Sequence, residues 1–327
     1  MRILLWHVHG SWTTSFVSGG HDYVIPLLPD RGPDGRGRAR TWDWPDTVRE
    51  VPVEALADEP LDVVVLQRPH EAALLRDWTG LRAGHDVPAV YLEHNAPTGH
   101  AVCTAHPVTT DLALTGLPVV HVTHFNAMAW DCGPAPTVVV EHGIPDPGPG
   151  WTGEIADLAV VVNEPVRRGR VAGTDLVLDL ATELLVSAYG MGTDALGAVA
   201  EERGLPGLSR ARCHDLDQAE LHRRLGRHRA YLHPYRWTSL GLSLLEAMAL
   251  GMPVLALATT EHHRAVPPGA GVVTNDLDLL RRTAARWLAD RGEALERGLA
   301  AREHVLSHYG LDRFLADWDQ ILKEVAL

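Results

Sequence analysis

The stretch RWTSLGLSLLEAMALGMPVLALA, Arg236–Ala258, decides how the chain is read. It opens on Thr238 and Ser239, whose hydroxyls can accept hydrogen bonds from the first free N–H groups of a helix. The run Leu240–Leu250 is almost wholly apolar and dominated by Leu, Ala and Met, all strong helix formers. Gly251 can take the left-handed conformation that ends a helix, and Pro253 prevents its continuation. VLALA then reads as a short strand buried on both faces, as in a parallel sheet. Helix, tight turn and buried strand predict an α/β fold with helices packed over parallel strands.

Glu246 does not fit a purely structural helix, since it is the only charged residue between Trp237 and Glu261. An ionised carboxylate among apolar residues needs a partner. As a core residue it would have to reach solvent. As a ligand residue it lies about 10 Å along the helix from its start, at ~1.5 Å per residue, with its side chain tilted back toward the N-terminus. From there it can accept hydrogen bonds from a vicinal diol, while the helix N-terminus favours a phosphate. Ribose at Glu246 and phosphate at Thr238, Ser239, Leu240 and Gly241 together describe a bound nucleotide.

TSLGLSLLEAMALGMPVLA resembles the signature of retaining, nucleotide-sugar-dependent glycosyltransferases of the GT-B type, in particular glycosyltransferase family 4. The resemblance implies two Rossmann-like domains facing across a cleft. It implies transfer of a sugar from a nucleoside diphosphate sugar to a small-molecule or glycan acceptor, with no metal and no cofactor beyond the donor itself. Glu246 matches the family's second Glu, which holds the donor ribose. The first Glu, which contacts the transferred sugar, falls at position 238, where this chain has Thr238. A neutral hydroxyl leaves more room and is a weaker acceptor, so a donor sugar bulkier than glucose or differently hydroxylated is expected.

Composition narrows the field. A length of 327 residues suits two domains, each able to bury a core. The net charge of −13 argues against nucleic acid or an anionic membrane as main partner. Lys323 is the single lysine, so Schiff-base chemistry, a pyridoxal phosphate linkage and a Walker lysine are nearly excluded. Cys103, Cys132 and Cys213 are too scattered for a zinc pattern and read as free thiols of a reducing compartment, hence a cytoplasmic protein. No run reaches the ~18 apolar residues of a membrane span, and Asp-x-Asp triplets such as Asp215/Asp217 read as solvated charge.

In chain order, Ile3–Val8 is a buried first strand, followed by a loop in which Gly10, Ser11, Gly19 and Gly20 are candidates to approach the donor phosphates. No Gly-x-Gly-x-x-Gly fingerprint is present, so a dinucleotide is not expected. The Pro-, Gly- and Arg-rich stretch from Pro29 to Glu50 reads as a long loop. Later strands end in Gln67 and Arg68, in Glu93, His94 and Asn95, in Thr123, His124 and Asn126, and in Glu141, His142 and Gly143. Strand ends converge on the ligand edge of a parallel sheet. His94 also resembles the family's histidine beside the donor sugar.

PDPGPGW, Pro145–Trp151, reads as a linker. It divides residues 1–147, an acceptor-side domain, from residues 148–310, a nucleotide-sugar domain, with residues 311–327 a terminal helix packing back on the first. In the second half, Asn163 leads into Arg167, Arg168 and Arg170, guanidiniums suited to a diphosphate. In the family an Arg and a Lys hold the diphosphate hereabouts, so here the arginines are expected to do both jobs. Tyr189, Gly190 and Met191 end the next strand and are expected to border the base. His94, Arg168 and Glu246 are thus the expected catalytic set. Two other readings stand beside the transferase: a sugar-nucleotide epimerase or hydrolase of the same fold, and a sugar-nucleotide-binding protein without turnover.

Overall fold

The computed structural model describes residues 1–327, which form two compact units. The first comprises Met1–Pro145 with Leu311–Leu327, the second Asp146–Gly310. The division therefore falls within the Pro/Gly linker, just before the position the composition marks.

In the first unit a seven-stranded parallel sheet is built from β1 (Arg2–Leu5), β2 (Asp22–Leu27), β3 (Val48–Pro52), β4 (Val63–Leu66), β5 (Ala89–Glu93), β7 (Val119–His121) and β9 (Thr137–Val139). The small pair β6 (Thr104–Ala105) and β8 (Trp130–Asp131) stands apart from it. The order β3-β2-β1-β4-β5-β7-β9 reverses direction between β1 and β4. Strands such as VVVL of β4 are buried along their whole length, because helices cover both faces. The terminal helix Leu311–Val325 belongs to this unit. Its Trp318 lies edge-on to Trp12 (5.7 Å between ring centroids) and to Phe16 (5.0 Å), with Leu322 also buried.

Two expectations fail here. Gly10 and Ser11 open a helix, Gly10–Phe16, rather than a loop. Thr14 and Ser15 bond back to the carbonyls of Gly10 and Ser11, and Trp12 and Phe16 are buried, so tertiary packing overrides a Ser/Thr-rich, weakly helical sequence. The stretch Pro29–Glu50 is not loop throughout, since β3 begins at Val48 with Val48 and Val51 buried.

In the second unit the sheet comprises β10 (Ile155–Val161), β11 (Val186–Tyr189), β12 (Cys213–His214), β13 (His228–His233), β14 (Val254–Ala256) and β15 (Gly271–Val273). Its order β12-β11-β10-β13-β14-β15 is all parallel and reverses between β10 and β13. One face is sealed by an apolar cluster running from Leu158, Val160 and Leu176 to Leu255 and Trp287. The decisive stretch forms the helix Leu242–Ala249, then Gly251 at φ +89°, then β14. The α/β class with two Rossmann-like parallel sheets is therefore the observed fold.

The aromatic packing of the terminal helix makes a direct prediction. Trp318→Ala should lower the unfolding free energy of the first unit by roughly 3–5 kcal/mol, as for other buried Trp truncations. Urea unfolding followed by circular dichroism measures it, and a loss below about 1 kcal/mol would show that the helix is not part of that core.

Candidate active site

A ligand of a doubly wound sheet sits outside the strand carboxyl ends where the strand order reverses, because adjacent loops there turn to opposite faces. In the second unit that point lies between β10, which runs into Val162–Gly173, and β13, which runs into Pro234–Gly241. The two loops are fastened together. Gly173 has φ +75°, and a Cβ on it would stand 2.0 Å from the Pro234 carbonyl oxygen, so glycine alone permits the approach. The Arg236 N–H donates to the Val171 carbonyl at 3.0 Å, and its guanidinium bonds to Asp175.

The three arginines of the first loop separate. Arg168, last residue of the short helix Pro165–Arg168, lays its guanidinium over the Tyr235 ring, 5.1 Å from the centroid. Arg167 is paired with Glu164 one turn earlier, and Arg170 with Asp175 at 2.6 Å. Their charges are compensated on the surface.

The β11 loop is held against the same region. The Met191 N–H donates to Asn163 Oδ1 at 3.0 Å, and the Glu164 N–H to the Met191 carbonyl at 2.6 Å. Gly190, at φ +118°, passes so close that a Cβ would meet Asn163 Oδ1 at 2.7 Å. Tyr189 is buried at the end of β11, whereas Met191 is exposed. Asn163, Arg168, Gly190 and Met191 thus share one edge with the loop that feeds the Leu242–Ala249 helix.

That helix starts later than its sequence suggests. Its N-cap is Gly241, in extended conformation and without a side-chain cap, while Thr238 and Ser239 lie in the incoming loop beside buried Leu240. A Cβ at Gly241 would meet the His233 ring at 2.6 Å, so the chain passes the ring extended before it can coil. Glu246 lies in the second turn and is only 8% exposed. His222 Nε2 stands 3.4 Å from its Oε2, with Gln218 2.7 Å from the same ring nitrogen. Neither His222 nor Tyr235 was recognisable as a site residue. His222 sits in the polar run QAELHRRL, and only the folded helix–helix contact brings it to Glu246.

In the first unit the reversal point lies between β1 and β4. His94, immediately after β5, is buried there and bonds through Nε2 to Gln67 Oε1 at 2.9 Å, while the Gln67 amide donates to the Trp6 carbonyl at 2.7 Å. The His9 ring lies 4.2 Å from the His94 ring, and Trp12 stands edge-on at 5.0 Å. Burial, then His9 and His142, push the His94 pKa well below the ordinary histidine value. His142, 4% exposed, falls to about 3 for the same reason, burial first. His9 is lowered as well, by desolvation and then by Arg68 and Arg36, although its exposed edge argues for a smaller shift than an enclosed ring would show. The cluster is therefore neutral near pH 7. The HVHG and EHGI strand ends carried the signal for His9 and His142.

Gly19 and Gly20 do not join this edge. The helix Gly10–Phe16 carries the chain back to the start of β2, so both glycines lie at the amino ends of the strands. The tight contact at Gly19 is with the Tyr23 hydroxyl, not with an open cradle.

Residues 184–320 match the family model described as "Glycosyl transferase-like". The match takes in the second unit from residue 184 onward and runs into the terminal helix. The likeness of fold extends over the whole chain. Sucrose-phosphate synthase from Thermosynechococcus elongatus superimposes with a TM-score of 0.70 at 15% identity, covering 99% of each chain. HepE of Anabaena, solved in complex with UDP, has a TM-score of 0.70 at 10% identity over 99% of this chain and 100% of its own. The pneumococcal O-GlcNAc transferase GtfA, solved with UDP and GlcNAc, has a TM-score of 0.55 at 13% identity over 80% of this chain and 56% of its own. These likenesses show the GT-B fold. No curated protein sequence matches this chain.

The buried histidines fix a pH dependence. His142 is neutral when folded and titrates near 6.5 when unfolded, so its contribution is complete above about pH 6.5 and is lost as pH falls toward about 3. Each such histidine should add up to roughly 1.4 kcal/mol of destabilisation per pH unit through that window. Urea unfolding between about pH 7 and pH 5 should show this slope, and His142→Asn should make it shallower. Equal slopes in the two proteins would contradict a buried neutral His142.

Proposed function

We propose that the protein transfers a sugar from a nucleoside diphosphate sugar to a small-molecule or glycan acceptor, with retention of anomeric configuration and without a metal. The observation that supports this best is the placement of Glu246 and Arg168 on loops and a helix that meet at the reversal point of one sheet. Glu246 is taken to accept hydrogen bonds from the ribose diol. Arg168 and the N-terminus of the Leu242–Ala249 helix are taken to meet the diphosphate. HepE and GtfA were solved with UDP, which makes UDP the first nucleotide to test.

In this reading the anomeric carbon–oxygen bond to the diphosphate breaks as the acceptor hydroxyl attacks. The negative charge left on the diphosphate is offset by Arg168 and the helix dipole, both fixed before the reaction begins. The acceptor proton passes to the departing phosphate oxygen. Held neutral by burial, His94 would offer hydrogen bonding to the transferred sugar without adding a charge. Thr238, where the resemblance expects a Glu, favours a donor sugar bulkier than glucose or differently hydroxylated. It also favours a second reading, sugar-nucleotide binding without turnover, which acceptor-dependent release of free UDP would exclude. No helix is long and apolar enough to cross a membrane, and we place the activity in the cytoplasm.

Calorimetry with UDP tests the assignment. Arg168→Ala should weaken binding about tenfold or more, the loss of a charge-assisted bond of ~1.5–3 kcal/mol. Arg167→Ala and Arg170→Ala, already paired with carboxylates, should change it little. Equal effects in all three would contradict the separate role of Arg168.

A further inference from the structure

The second unit holds a cavity of about 820 Å³ whose lining, apart from Tyr189, contains none of the residues assigned to the transfer reaction. It lies over the sheet face opposite the apolar cluster, alongside β10, β11 and β12. On a parallel sheet such a face is ordinarily covered by the apolar stripe of a helix. Here the helix over it, Gln218–Leu225, buries only Leu225 and turns Glu220, Arg223 and Arg224 to the cavity.

The floor is polar and its side chains are buried. Asp157, fully buried, accepts hydrogen bonds from Ser187 Oγ at 2.7 Å, from Arg212 Nη1 at 3.1 Å and from His228 Nδ1. With Nδ1 donating to the carboxylate, His228 Nε2 accepts from the Tyr189 hydroxyl at 2.6 Å. Tyr189 and His228 are each 3% exposed. Four guanidiniums line the cavity, Arg212, Arg223, Arg224 and Arg227, against the lining carboxylates Asp157 and Glu220 and, just outside the lining, Glu154, which pairs with Arg227. This is a local excess of positive charge in a chain of net charge −13. Arg223 and Arg224 share Glu220, and Arg212 shares Asp157 with two other donors, so guanidinium N–H groups outnumber their acceptors.

We propose that this cavity is a second ligand site, for a small phosphate-bearing anion. Guanidinium forks suit phosphate oxygens, and the volume is that of a pocket for a small organic ligand rather than a packing void. The site is distinct from the diphosphate edge. Its floor residues Asp157 and Ser187 lie within the strands, whereas Arg168 lies in the loop beyond the end of β10. The proposal does not depend on the chemistry assigned to that edge. Tyr189 directly precedes Gly190–Met191, so an anion held over its ring stands next to the loop that borders Arg168.

The test is binding of inorganic phosphate to the full chain by calorimetry, carried out in Arg168→Ala so that the diphosphate edge does not contribute. Phosphate should bind this variant, and adding Arg224→Gln should weaken binding about tenfold or more. Arg212→Gln should weaken it too, but it also strips a donor from Asp157. Arg224→Gln avoids that cost, because Glu220 keeps Arg223, and an unchanged melting temperature certifies its fold. Absence of phosphate binding at millimolar concentration, binding insensitive to Arg224→Gln in a folded protein, or binding of citrate but not phosphate would each overturn the proposal.

Discussion

The approach of Gly173 to the Pro234 carbonyl is the constraint on which the proposed nucleotide edge depends. A backbone that comes within 2.0 Å of where a Cβ would lie can belong only to glycine, and its left-handed φ adds a second reason. Once made, the contact brings the loop after β10 against the loop after β13. Arg168 then meets Tyr235, Arg236 meets Asp175, and the chain enters the Leu242–Ala249 helix past His233. The site thus follows from strand order and from two close backbone passages, at Gly173 and Gly241, more than from any single charged residue. Loops fixed in this way need not reorganise when a charged ligand arrives, which is the condition for preorganised electrostatic stabilisation.

Charge is handled differently in the two units. In the first, His94 and His142 at the strand ends are stripped of water until they are neutral, and the His94 ring is held by Gln67, Trp12 and His9. Neutral imidazoles can orient hydroxyl groups without attracting counter-ions. In the second, guanidiniums are kept charged beside an aromatic ring or carboxylates, which suits phosphate. The cavity over β10–β12 extends this pattern to a face of the sheet where packing alone would call for apolar side chains.

The helix–turn–strand unit at 242–256 was legible because its signals are local: an apolar run, Gly251 at positive φ, and Pro253. Alternating strands, the polar strand ends and the linker near Pro145 were legible for the same reason. The Gly10–Phe16 helix was not, since Thr14 and Ser15 become helical only by bonding back one turn under a buried Trp12 and Phe16. Gly19 and Gly20 look like a phosphate loop in sequence, but the length of that helix places them at the opposite end of the strands. The arginine run shows three charges, yet Glu164 and Asp175, one on either side of it, occupy two of them. Which charge is spared depends on side-chain directions that spacing does not reveal.

In the proposed function Glu246 grips a ribose diol. The most direct measurement compares, by calorimetry, the binding of UDP with that of its 2′,3′-dideoxy analogue to wild type and to Glu246→Ala. Wild type should prefer UDP by about tenfold or more, the scale of a charge-assisted hydrogen bond, and Glu246→Ala should bind both nucleotides alike. A wild type that does not distinguish the two nucleotides, or a Glu246→Ala variant that keeps the full preference, would contradict that role.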